Sequence, residues 1–227
     1  MTSLRSVRPA MTPATPSTPA QHDRYERLLQ VATAMLALGG EEMLQTKELA
    51  QRAEVSLATL YRYFPSKDHV LLAIAYSRYE NALRRVTNEA PPGATGQERV
   101  TRHLLREFRA EQRDQKLTAA LTRVITDTRR EYSPIVRQIR GLHVQVLRQV
   151  AVAGGPISDE QDRRLPIVVD VFGAATRRWL AGVCSAAEAR SEIRIGGLLL
   201  NPAVLLPSGN PAGDAVAGGA RGRLGAE

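Results

Sequence analysis

The residues able to do chemistry in this 227-residue chain are thinly spread. His22, His69, His103 and His143 lie far apart, and none is read as half of a zinc-binding pair. Cys184 stands alone, so neither an internal disulfide nor a thiolate metal centre can form. No glycine loop of the phosphate-cradling kind and no nucleophile elbow is found. Asp170 is the oddest polar residue, because its helix is otherwise apolar. It is expected to meet an arginine or a helix end across an interface. Without a set of cooperating groups, no catalysis, metal or cofactor is expected.

A different kind of chemistry is concentrated between Thr46 and Lys67. Ser56 can accept a hydrogen bond from the free amides that open a short helix. Leu60 and Phe64, four apart, share one face, and Leu57 lies on the same side. The other side carries Ala58 and Arg62, with Thr59 and Tyr61 flanking and Tyr63 near the edge. Pro65 ends the helix and Ser66 caps the next one. So short a helix is not stable alone. Its outward groups are hydroxyls, a guanidinium, polar-tipped aromatics and a small alanine. Such a face suits a DNA groove, with Lys67 and the hydroxyls on phosphates and Arg62 against the bases.

The elements that must position this face are helices. Apolar residues recur at helical spacing from His22 to Leu38, and Gly39-Gly40 ends that helix. Thr46 reads as the N-cap of a second helix, and Glu54-Val55 as the turn into the third. Leu28, Ala32, Leu49, Leu60 and Phe64 would form a small core. A long helix then starts at Ser66 and fades towards Pro91-Pro92-Gly93. Further helices are predicted over Gly96–Arg113, Lys116–Thr128, Ser133–Val152, from Ser158 with a kink or restart at Pro166, over Ile167–Ala181, and over Ala186–Leu200. No strand pattern appears. The fold class is all-α: a three-helix head and a larger helical body, about nine helices in all. The expected boundaries are a disordered tail over 1–20, the head over 21–68, the body over 69–200 and a second disordered tail over 201–227. In the first tail, Arg5 and Arg8 are either passive or an arm for the DNA minor groove.

Net charge is +8 and the isoelectric point about 10.2, which favours anionic partners. Much of the excess lies after the head, so charge supports DNA binding only weakly. Arg5 and Arg8 are not followed by an apolar segment, so no signal peptide is expected. The uncharged run from Ile195 to Gly213 is broken by Pro202, Pro207 and Pro211 and is not expected to span a membrane. A cytoplasmic protein is the expectation.

Thr46-Lys47-Glu48-Leu49-Ala50, Ala53-Glu54-Val55-Ser56, Thr59-Leu60-Tyr61-Arg62-Tyr63-Phe64 and Ser66-Lys67 together resemble the TetR family of transcription regulators. The resemblance is strong over roughly residues 22–75. Glu54 and Ala58 depart from it, standing where the family usually has glycine. Both are good helix formers, so the fold is expected to survive.

The resemblance implies a sequence-specific homodimeric DNA-binding regulator, most simply a repressor released from a palindromic operator by a ligand. It implies DNA contacts from Thr46, Lys47, Ser56, Leu57, Ala58, Thr59, Tyr61, Arg62, Tyr63 and Lys67. Within the family, Leu117–Arg123 and Val168–Val171 are similar to regulators of sterol and lipid breakdown, implying a small apolar or acyl-CoA-like effector. The body offers Phe108, Leu121, Val124, Thr128, Leu142, His143, Val146, Val169, Phe172, Thr176 and Trp179 as pocket candidates, each also readable as core. Arg177 and Arg178 are candidates for an anionic head group. The last two helices are candidates for the dimer interface, with Gly173, Ala174 and Ala175 allowing close approach. An activator, a ligand-independent regulator and a non-specific DNA-coating protein are the alternatives.

Overall fold

The computed structural model describes residues 14–89, 92–153, 155–201 and 203. Among them are nine α-helices, two single 3-10 turns and no strand. The head comprises α1 (Pro19–Gly39), α2 (Thr46–Arg52) and α3 (Leu57–Tyr63). The body comprises α4 (Lys67–Asn88), α5 (Gly96–Arg113), α6 (Gln115–Ile125), α7 (Ser133–Val152), α8 (Asp159–Leu180) and α9 (Ala186–Leu198). The tail expectations for 1–13 and 204–227 lie outside the described residues. Residues 14–17, also assigned to a tail, are instead held on the head. The Ala14 amide donates to the Arg62 carbonyl at 3.0 Å, and Thr18 caps α1.

Side-chain caps define most helix starts. Ser56, Ser66, Thr95, Ser158 and Ser185 each accept from the amide three residues on. Ser158 with Gln161, and Ser185 with Glu188, complete capping boxes. Three local expectations fail. Thr46 is the first residue of α2, and Gln45 occupies the cap position without a side-chain bond. Helix α8 runs unbroken through Pro166, which cannot bond one carbonyl a turn back but leaves the rest of the ladder intact. Helix α6 ends at Ile125, short of Thr128. There the Thr126 hydroxyl turns back to the Thr122 carbonyl, and Asp127 accepts from the Arg129 amide.

The head core is larger than three helices. Leu28, Ala32, Leu49, Leu60 and Phe64 are joined by Val70, Leu71 and Ile74 of α4 and by Leu117, Leu121 and Val124 of α6. A second core lies between α5, α7, α8 and α9, around Phe108, Leu147, Leu165 and Phe172. Gly196 and Gly197 let α9 close on Val171 and Thr101, where a Cβ would collide. Gly173 plays no such part within the chain, since a Cβ there would meet only Arg177 of its own helix. No described helix is long and apolar enough to cross a membrane.

Candidate DNA-binding face and effector cavity

The turn between α2 and α3 rests on one strained residue. Glu54 has φ +55°, the left-handed region. Glycine enters this region freely, whereas a side chain costs about 1–2 kcal/mol there. Helix propensity is therefore not why the family's glycine can be dispensed with. Glu54 keeps the turn through the Val55 amide, which bonds the Ala50 carbonyl at 3.0 Å, and through an exposed pair with Arg27 at 3.2 Å. Glu54→Gly should raise the melting temperature by about 1–2 °C, strain relief slightly outweighing the exposed pair and the freer unfolded chain. Calorimetry that shows a lower midpoint would mean that the Arg27 pair outweighs the strain.

Helix α3 presents Leu57, Ala58, Tyr61 and Arg62 to solvent, with Thr59 half-buried. The Ser56 oxygen accepts from the Thr59 amide at 3.1 Å and meets the Thr59 hydroxyl at 2.9 Å. The Tyr61 hydroxyl reaches Thr46 Oγ1 at 3.2 Å, so the starts of α2 and α3 form one polar surface with exposed Lys47. Lys67 stands half-buried at the start of α4. Tyr63, expected at the edge of this face, is a core residue, 1% exposed. It lies three after Leu60 and one before Phe64, which turns it inward against the Tyr25 ring at 5.6 Å. Its hydroxyl is buried without a hydrogen-bond partner among the described residues. It carries packing, with the Arg62 guanidinium 5.3 Å from its ring centre.

The body encloses a cavity of about 1030 Å³ among α4, α5, α6, α7 and α8. Of the candidates for its wall, Leu121, His143, Val146, Val169, Phe172 and Thr176 line it. Phe108 and Val124 are fully buried elsewhere in the cores. Trp179 packs edge-on against Phe108 at 5.3 Å, and Leu142 is turned off the cavity. Thr128 is exposed in the loop beyond α6.

Sequence reasoning missed a polar row, half-buried to buried, along the same cavity. His103, Glu107 and Glu111 stand four apart on α5 and face Tyr79, His143 and Thr176. Their spacing marks them as one helix stripe. Beside it runs the apolar stripe of Val100, Leu104 and Phe108, which drew the reading. Glu107 Oε2 lies 3.3 Å from His143 Nε2 and 3.9 Å from His103 Nε2. The Thr176 hydroxyl donates to Glu111 at 3.0 Å, and the Tyr79 and His143 rings stack at 4.5 Å. Burial works against ionising Glu107, but His143, His103 and Arg78 hold it well below the usual carboxylate range. Burial and the Glu107 charge push Glu111 up, so it keeps its proton at neutral pH. The cavity mouth is rich in arginine, including Arg106, Arg109 and Arg177. Arg178 is instead paired with Glu192.

Ion pairs join α6 and the loop after it to the start of α4 and, through Glu41, to the head. Asp68, at the start of α4, accepts from Arg123 of α6 at 2.6 Å, from Arg129, and from the Tyr132 hydroxyl at 3.2 Å. Arg123 also grips Glu41 with two bonds, at 2.6 and 2.9 Å. Burial would raise the Asp68 carboxyl, but the two arginines bring it below its ordinary value. Asp170 meets Arg140 across the exposed seam of α7 and α8 within one chain, in a bidentate pair at 3.0 and 2.8 Å.

A capped short helix standing out from a head, above a hollow helical body, defines a helix-turn-helix DNA-binding regulator. The model of the bacterial regulatory proteins of the tetR family matches residues 28–74. The chain is 32% identical to the HTH-type transcriptional repressor KstR of Rhodococcus jostii (strain RHA1) over 77% of its own length and 81% of that protein. The chain belongs to the TetR family. Among solved structures, a TetR transcriptional regulator from Rhodococcus sp. RHA1 is similar, with 25% identity, a TM-score of 0.71 and coverage of 82% of this chain and 100% of that one. Thermus thermophilus FadR, a repressor solved with lauroyl-CoA, shares the fold at 18% identity and a TM-score of 0.60, over 83% and 99% of the two chains.

Proposed function

We propose that this regulator is a homodimeric cytoplasmic repressor that holds a palindromic operator and lets go when a small apolar or acyl-CoA-like effector fills the body cavity. The observation that carries the DNA half is the polar surface that Tyr61 and Thr46 join between α2 and α3. In this reading Thr46, Lys47, Ser56, Leu57, Ala58, Thr59, Tyr61, Arg62 and Lys67 face DNA, and two copies of α3 enter successive major grooves roughly 34–36 Å apart. The head is taken to span residues 21–68 and the body 69–200. The dimer forms through α8 and α9, which leave Ile167, Ile195 and Leu198 exposed, as is Val183 in the turn between them.

The cavity supports the effector half. Its volume suits a drug-sized molecule or larger, apolar side chains such as Leu117, Leu121, Val146 and Phe172 make part of its wall beside the polar row, and its rim arginines complement an anionic head group. KstR relatives are named repressors, and a repressor of the same fold takes lauroyl-CoA. The test is selection of random duplex DNA by the purified chain at moderate salt. A palindrome should emerge and serve as the reagent for screening acyl-CoA thioesters by loss of binding. Binding without an enriched sequence, fading evenly with salt, would reverse the reading in favour of a coating protein.

Arg62 gives a sharper check, being exposed on α3. Each good base contact is worth about 1–3 kcal/mol. Arg62→Ala should weaken operator binding by at least about tenfold and move the melting temperature by no more than about 2 °C. An unchanged band shift would remove Arg62 from the DNA face.

A further inference from the structure

We infer that the effector carries a neutral oxygen, a hydroxyl or a ketone, on its apolar part, and that His143 and Glu111 hold that oxygen against the cavity wall. This deepens the reading of the cavity as the effector's site and rests on it. His143 is 4% exposed, and both it and Glu111 line the cavity. The imidazole ring is fixed from two sides, stacked on Tyr79 at 4.5 Å and edge-on to Phe172 at 5.6 Å. Its Nε2 atom nonetheless makes no hydrogen bond with any described residue. Glu107 Oε2 lies 3.3 Å away, close enough for attraction but not aligned for a bond. A buried nitrogen left unbonded is costly, and a partner that arrives with the ligand removes that cost.

The neighbours of that nitrogen set the chemistry of the partner. Glu111 accepts from the Thr176 hydroxyl at 3.0 Å. It keeps its proton at neutral pH, so its O–H can donate to an incoming oxygen. His143 Nε2 donates or accepts according to its tautomer, and a hydroxyl answers either. A carboxylate or phosphate is disfavoured here, because the Glu107 charge would repel it. An ammonium group gains little, because His143, His103 and Arg78 already offset that charge. The anionic head is left to the rim arginines, Arg106, Arg109 and Arg177. A plain saturated chain would leave the polar row unmet, and a site built to bond an oxygen discriminates against a ligand that lacks one.

The experiment titrates the purified full chain, without DNA, with lauroyl-CoA and with lauroyl-CoAs carrying one hydroxyl at successive positions from mid-chain to the far end. One hydroxylated chain should bind about threefold to tenfold more tightly than lauroyl-CoA. The others should bind no better, since a hydroxyl against an apolar wall loses its water without gaining a partner. His143→Phe keeps a ring between Tyr79 and Phe172 but has no nitrogen. In that variant the advantage of the favoured chain over lauroyl-CoA should vanish. If the variant does not fold, the wild-type series decides alone. A series in which no hydroxylated chain exceeds lauroyl-CoA would overturn the oxygen and leave the effector reading standing. Tightest binding by dodecanedioyl-CoA, whose far end is a carboxylate, would overturn it in favour of an anion. If none of these thioesters binds, both readings fall.

Discussion

Ile195→Lys should yield a folded monomer whose grip on the operator has dropped by at least about 100-fold, because only one half-site can then be held at a time. Ile195 is 62% exposed on α9, so its loss takes little from the interior of one chain. Leu198, three residues on, is 48% exposed, and Ile167 of α8 is 47% exposed. A lysine near the C-terminal end of a helix is favourable for that helix. At a twofold interface the same lysine would bury beside its own copy, where like charges repel. Sedimentation at micromolar concentration should show the loss of the dimer, and band shift the loss of operator. A variant that stays dimeric places the interface elsewhere.

Glu111→Gln should remove the loss of stability that the protein shows as pH rises from about 5 to about 8. Burial, then the neighbouring Glu107 charge, lifts the folded Glu111 carboxyl to about 8. In the unfolded chain it titrates near about 4.3. Between those values the folded form holds a proton that the unfolded form has released, so stability falls as pH rises through that window. Glu107, shifted downward, acts at the other end: its contribution is complete above about 4.3 and lost in stronger acid. Glutamine keeps the shape and the acceptor for Thr176 but has no proton to lose. The variant should match the wild type near pH 5. At pH 8 it should exceed it by on the order of 2 kcal/mol, or about 4–8 °C. Parallel melting curves at both pH values would show that Glu111 is not the group responsible.

The helix caps were legible in the sequence because each is a local bargain between one side chain and the amides that follow it. Thus Ser56, Ser66 and Ser158 cap α3, α4 and α8 as the sequence places them, while Thr46 does not cap α2. The α3 face was legible in part: Leu60 and Phe64 define the inward side, yet Tyr63 falls within the same arc and its polar tip drew it outward. Positive φ at Glu54 had no signal in composition, since glutamate is an ordinary helix residue. Pro166 was ambiguous because a proline forfeits one helix bond, and tertiary packing decides whether the rest hold. The cavity's acids required a third dimension. Only when α5 is set against α4, α7 and α8 do His103, Glu107 and Glu111 face inward instead of to water.

The Asp68 knot has a thermodynamic consequence. Helix α6 touches the cavity through Leu117, Thr118 and Leu121 and, half a turn further on, Arg123 holds Glu41 of the head and Asp68 at the start of α4. One rigid helix thus feels both sites. If an effector lowers operator affinity by some factor, the operator must lower effector affinity by the same factor. A regulator sitting on its operator is then a poorer sensor than one free in solution, and the unbound pool fills with effector first. Asp68→Asn should weaken both effects together, because they are one quantity measured from its two ends.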